Sequence, residues 1–310
     1  MSDGQNVAPR RVGGHVSAAG GLPKVVERAV AIGADCVPLL ISAPQQWRPA
    51  AHKDADVAAF REQVSVHGLT PVFIHAIYLL NLASPNPVLR TRSVETLISH
   101  LAWADRIGAA GVIFHPGSHT GAGDEAGERA VVESLATVLA AHTGSSALLL
   151  ETTAGGRGSV GGRFEQLGRV IEQLGGERRL QVCLDTAHIF AAGYPCTTPD
   201  GLQETLDTFD QTVGLDRLTC IHVNDSKTPF GSHADRHANV GEGEIGVVGF
   251  WHLLQHPVIA SRPLVLEVPG FDNQGPDALN VQLLRAIGAA ASPAEALAAV
   301  EALRRAATAR

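Results

Sequence analysis

Short apolar runs rich in β-branched residues alternate with longer stretches of helical period eight times along the chain. That rhythm allows few folds. The expected strands span 12–17, 36–42, 70–77, 111–117, 146–153, 180–188, 217–225 and 263–270. The expected helices span 22–34, 54–68, 87–109, 124–142, 163–174, 199–213, 246–254 and 276–291. Asp54 and Asp124 are placed to cap helix starts, and Gly33, Gly68 and Gly108 fall at helix ends. Eight consecutive β/α units predict an α/β fold of the (β/α)8 TIM-barrel kind, a single domain over 12–291. The competing architecture, a doubly wound open sheet, calls for a glycine-rich phosphate turn after the first strand. His15-Val16-Ser17-Ala18-Ala19-Gly20-Gly21 does not supply one. A polar segment, 1–11, precedes the barrel. An extra amphipathic helix, 292–310, follows it, with Leu297, Val300 and Leu303 on its apolar face.

Composition narrows the setting. With 310 residues, 45% of them hydrophobic, the chain can bury a large core, and 18% charged residues exclude a mostly disordered polymer. No apolar run approaches the ~20 residues that a membrane crossing requires. The first residues lack the apolar stretch of a secretory signal. Cys36, Cys183, Cys196 and Cys220 are scattered with no paired spacing, as expected of reduced thiols in a cytoplasmic protein. The net charge of −7 argues against a nucleic-acid partner held by protein charge alone, unless bound cations offset it.

Strand interiors should be apolar, so ionisable residues at strand C-terminal ends need a cause, and in a barrel that end carries the chemistry. The expected strands three to eight end at His75, His115, Glu151, Asp185 with His188, His222, and Glu267. Asp235 and His237 follow in the loop after strand seven. One such histidine is usually a hydrogen-bonded structural residue. Six consecutive strand ends carrying His, Asp or Glu would cost several kcal/mol per buried group without a counter-charge. Imidazole and carboxylate are the ligands that zinc or manganese takes, and the absence of cysteine from the set points to catalytic metals rather than a structural zinc. Nine groups can serve two to three ions if a carboxylate bridges.

At these residues the chain resembles the endonuclease IV family of apurinic/apyrimidinic endonucleases. The resemblance runs from His15-Val16-Ser17 to Glu267. Its specific stretches are 75–83, starting His75-Ala76-Ile77-Tyr78, then Leu184-Asp185-Thr186-Ala187-His188, 221–227 with His222-Val223-Asn224-Asp225, and Asp235-Arg236-His237 followed by 241–246. It implies a trinuclear zinc centre, with manganese possible at one position. His75, His115 and Glu151 would hold one ion. Glu151 would bridge to a second held by Asp185, His222 and Glu267. His188, Asp235 and His237 would hold the third. The implied substrate is duplex DNA with abasic sites or blocked 3′ ends, with no membrane or obligate protein partner. Glu151 and Glu267 are the implied catalytic residues, while Tyr78, Gln46 and Trp47 would contact DNA. Ala187 stands where the family usually has Cys, Ala43 where it commonly has Asn, and Gln45 where some members carry a wedge Arg. Two other readings remain at this point: a sugar isomerase or epimerase-like metal-dependent barrel, and an inactive abasic-DNA binding protein.

Overall fold

The computed structural model describes residues 10–43, 45–47 and 50–309; the rest of the expected polar leader, 1–9, lies outside them. The first barrel strand is split at His15 into β1 (Val12–Gly14) and β2 (Val16–Ser17). β3 (Val37–Leu40), β4 (Val72–His75), β5 (Gly111–Phe114), β6 (Ala147–Glu151), β7 (Leu180–Asp185) and β8 (Leu218–His222) follow. A small hairpin, β9 (Asp225–Ser226) with β10 (His237–Ala238), precedes the last barrel strand, β11 (Leu264–Leu266). The barrel strands pair in parallel in the order β1-β11-β8-β7-β6-β5-β4-β3-β2. Because β1 and β2 are halves of one strand, the sheet closes on itself, and Gly13 also bridges to Cys36. A Cβ at Gly13 would lie 2.1 Å from the Cys36 carbonyl oxygen, so the seam admits only glycine there.

The helices are α1 (Leu22–Ala31), α2 (Asp54–Val66), α3 (Pro87–Ile107), α4 (Asp124–Ala141), α5 (Phe164–Gln173), α6 (Thr186–Ala192), α7 (Pro199–Thr212), α8 (Gly246–Gln255), α9 (Pro257–Ala260), α10 (Ala278–Ala289) and α11 (Pro293–Thr308). All eight expected helices are present, and α6 and the short α9 are additions. Residues 180–188, read as one strand, are β7 followed by the start of α6. The chain turns at Asp185, whose carboxylate accepts the His188 backbone N–H at 2.9 Å and caps the new helix. Asp54 and Asp124 are not caps. Lys53 and Gly123 occupy the cap positions, and both acids sit in the first turn, where the helix dipole favours them. In α11 the buried face is Ala296 and Val300, with Leu303 packed beside it. Leu297 points out, because the helix meets α8 and α10 one position away from the expected stripe.

Two cores result from the strand alternation. Leu148 and Leu150 of β6 join the large core between sheet and helices. Leu149, between them, faces inward with Phe73, Ile113, Cys183 and Cys220, all fully buried. This inner layer plugs the barrel and forms the floor on which the mouth is built. No helix among the described residues is long and apolar enough to cross a membrane.

Candidate metal centre

The period of two that makes the plug also makes the site. Two residues beyond Phe73, Ile113, Leu149, Cys183 and Cys220 come His75, His115, Glu151, Asp185 and His222, on the same inner side and one layer nearer the mouth. Glu267 follows buried Val265 in the same way just past β11. Glu151 is at the centre. Its Oε2 lies 3.1 Å from His75 Nε2 and 3.0 Å from His115 Nε2. Its Oε1 lies 2.8 Å from His222 Nδ1. One carboxylate thus faces two separate sets of imidazoles. Glu267 Oε2 approaches the same His222 nitrogen at 3.0 Å, and Asp185 Oδ2 lies 3.9 Å from it. On the outer side, Asp235 is 3.3 Å from both His188 Nε2 and His237 Nε2. The structure therefore brings all nine predicted groups to one mouth.

Neighbouring groups fix these side chains. His75 Nδ1 contacts the Ala76 carbonyl at 2.8 Å and His188 Nδ1 the Thr152 carbonyl at 2.7 Å, which turns each Nε2 toward the centre. Asn224 donates from Nδ2 to Asp185 Oδ2 at 2.6 Å and accepts the Glu267 backbone N–H at 2.8 Å, so one amide orients two carboxylates. Buried Asp225 accepts backbone N–H groups from Ser226, Gly241, Gly243 and Ile245 at 2.9 to 3.0 Å. It ties the 241–246 loop to the β9–β10 hairpin, which carries His237.

Burial alone would push the carboxylates up, yet the surrounding imidazoles prevail. His222 and His115 hold Glu151 well below the usual carboxylate range, and His222 and His15 do the same for Glu267. Burial likewise opposes charge on the histidines. Glu267 and Glu151 nevertheless raise His222 well above its ordinary value, and Asp185 and Asp235 raise His188 to about 10. Opposite charges on these neighbouring side chains thus support one another. Imidazole and carboxylate in this arrangement suit a divalent ion. Ligand atoms lie within 4.8 Å of one another in His75–His115–Glu151, Glu151–Asp185–His222–Glu267, Glu151–Cys183–His222 and Asp185–His188–His237, the last with Asp185 at the spacing where Asp235 was expected. Among the described residues, Nε2 of His188 and His237 and Oε1 of Glu267 are buried without a hydrogen bond, which leaves them free for a cation.

His15 was not among the predicted site residues. It stands at the break between β1 and β2, and its Nε2 is 2.8 Å from Glu267 Oε1, though out of line for a hydrogen bond. His15, His222 and Glu267 form a further group with ligand-like spacing. The sequence shows only a polar residue within an expected strand there.

Around the centre, Tyr78 is 60% exposed, with its ring 5.8 Å from that of His75. It borders a cavity of about 810 Å³ shared with Arg157 and Arg236 on one side and a cavity of about 540 Å³ shared with His15 and Ser42 on the other. Gln46 is exposed, and Trp47 is half-buried with the Arg92 guanidinium 4.9 Å from its ring. His119 is held by Asp124 and accepts the Gly121 and Gly123 N–H groups, so it shapes its loop.

The family model of xylose isomerase-like TIM barrels matches residues 26–305. A probable endonuclease 4 of Halothermothrix orenii is 38% identical over 275 residues, covering 89% of this chain and 99% of that protein. One from Chloroflexus aurantiacus is 38% identical over 278 residues, covering 89% and 98%. The crystal structure of endonuclease IV from Thermus thermophilus superposes with a TM-score of 0.78 at 36% identity, covering 89% of this chain and 98% of that one. A D-tagatose 3-epimerase-like protein superposes with a TM-score of 0.64 at 17% identity, covering 94% and 98%, a likeness of fold alone. The chain belongs to the endonuclease IV family of apurinic/apyrimidinic endonucleases, within the xylose isomerase-like TIM barrels.

Proposed function

We propose that this chain is a metal-dependent DNA repair nuclease that hydrolyses the phosphodiester 5′ to an abasic site in duplex DNA. The products are 3′-hydroxyl and 5′-deoxyribose phosphate ends, and the same site trims blocked 3′ ends. The observation that carries this reading is the convergence of nine imidazoles and carboxylates on one barrel mouth, with both oxygens of Glu151 engaged. His75 and His115 with Glu151 would hold one zinc, and Glu151, Asp185, His222 and Glu267 a second. His188, Asp235 and His237 would hold a third, with manganese possible at one position. When bound, such ions acidify water near neutral pH and stabilise charge on a phosphoryl group during in-line displacement.

The residues supply the rest. Glu151 sets the spacing between two of the sites. Glu267, held by Asn224 through its backbone and approached by His15, directs its carboxylate at the attacking water and accepts a hydrogen bond from it. Arg236, exposed on the rim of the larger cavity, is positioned to meet phosphate. Tyr78 would fill the gap in the base stack, while Gln46 and Trp47 would also contact the DNA. The lesion favours this geometry, since no base pair must be broken to turn out the abasic sugar.

Glu267→Gln tests the proposal. The variant should lose strand nicking while retaining binding to an abasic duplex in a gel-shift assay. Near-normal turnover by Glu267→Gln would contradict the assigned role.

A further inference from the structure

Beside the metal centre lies a separate small cavity of about 240 Å³ between the loop after β3 and the side of α3. None of the nine candidate ligands lines it. Its wall includes Ser42, Trp47, Ile77, Arg92, Thr96 and His100. Ile77 precedes the exposed Tyr78, so the cavity sits on the rim of the proposed DNA face.

Its chemistry is selective. His100 is 2% exposed, and its Nδ1 has no hydrogen-bond partner among the described residues. The Ser42 hydroxyl on the same wall is also buried and unpartnered. Burial pulls the His100 imidazole down to about 4, so at neutral pH the ring offers one N–H and one lone pair. Unpaired buried groups of this kind are destabilising unless something meets them. The outer wall is flat and π-rich, formed by Trp47 with the Arg92 guanidinium above it. Glu95 on the same wall balances the charge of Arg92, which disfavours an anion. The space falls below the roughly 300–1,000 Å³ of drug-sized sites and suits one heterocycle. A planar face to stack on and a polar edge to read are the features by which proteins hold an unstacked base.

We propose that this cavity receives a single unstacked nucleobase of the bound DNA, its edge against His100 and Ser42 and its face toward Trp47. The proposal rests on reading the chain as a nuclease of abasic DNA, and it adds a base-binding subsite to that reading. None of the candidate metal ligands takes part in it.

Duplexes with a stable abasic analogue carry 2-aminopurine either opposite the lesion or beside it, and are mixed with chelator-treated protein. For at least one reporter position the emission should be quenched about twofold or more on binding, from stacking near Trp47. Thr96→Trp, which fills the cavity, should abolish that response and weaken duplex binding about tenfold while keeping the native melting temperature. Ser42→Ala, which adds no bulk, should weaken the response in the same direction and replaces Thr96→Trp if the latter does not fold. Free adenosine distinguishes the source of the base. Saturable adenosine binding that abasic duplex does not displace would assign the cavity to a free nucleoside and overturn the proposal. Nicking of the abasic duplex by the metal-loaded native protein, with reporters that respond alike in the native and filled proteins, would overturn this inference alone. Failure to bind or nick the duplex would overturn the nuclease reading and the subsite together.

Discussion

The barrel's inner plug and its mouth are set on the same strands two residues apart, yet opposite demands shape them. Phe73, Ile113, Leu149, Cys183 and Cys220 are fully buried and apolar, and their removal from water drives closure. One layer up, His75, Glu151, Asp185 and His222 are also buried but ionisable; His222 and His115 hold Glu151 below the usual carboxylate range, and Glu267 and Glu151 hold His222 above its ordinary value, against a desolvation cost. The lower layer stabilises the fold. The upper layer gives up part of that stability for a site suited to cations, so changes in the two layers should separate stability from chemistry.

The largest separation is expected at adjacent inward positions of β6. Glu151→Gln removes the carboxylate shared by two imidazole sets and should lower nicking by roughly a thousandfold, read as kcat on an abasic oligonucleotide. Loss of less than about tenfold would mean that Glu151 is not shared between sites. Leu149→Ala, two residues earlier, should cost about 2–5 kcal/mol in denaturant unfolding while the bound-metal count stays at the native value. If the metal count fell with Leu149→Ala, the two layers would not be independent.

A smaller effect should come from Asn224, which touches both Asp185 and Glu267. Asn224→Ala should weaken zinc binding about 10–100-fold in competition with a chromophoric chelator, with little change in melting temperature. Unchanged affinity would mean that Asn224 does not position the two carboxylates.

A last effect concerns pH in the chelator-treated protein. His188 is buried, which lowers its pKa, but Asp185 and Asp235 raise it to about 10 from an ordinary 6.5. A folded value above the unfolded one gives a contribution that is complete below 6.5 and lost as pH rises toward 10. Chelator-treated protein should therefore melt at progressively lower temperature across that interval. The metal-loaded protein should lack this decline, because a bound ion replaces the proton. A flat profile in the stripped protein would contradict the raised pKa of His188.

Much of this was legible in the sequence because it is periodic. Eight β/α units follow from apolar runs alternating with helical ones, and inward facing follows from the strand period of two, so the candidate ligands could be read at strand ends. What escaped is non-local or too short to be periodic. His15 looks like one polar residue in a strand, and its meeting with Glu267 depends on how β1 pairs with β11 at the seam. β9 and β10 are two residues each, so the sequence carries no sign of the hairpin or of Asp225 as its anchor. His188 was expected on a strand because the capping turn at Asp185 interrupts an apolar run without glycine or proline. The cavity at His100 depends on a loop folding over α3, a contact that no local pattern encodes.

Whether the nine groups act as one polynuclear centre decides the rest. Elemental analysis of protein purified without chelator, quantified per folded chain, addresses that directly. Three zinc-type ions per chain is the predicted result. A stoichiometry of one or none would contradict it.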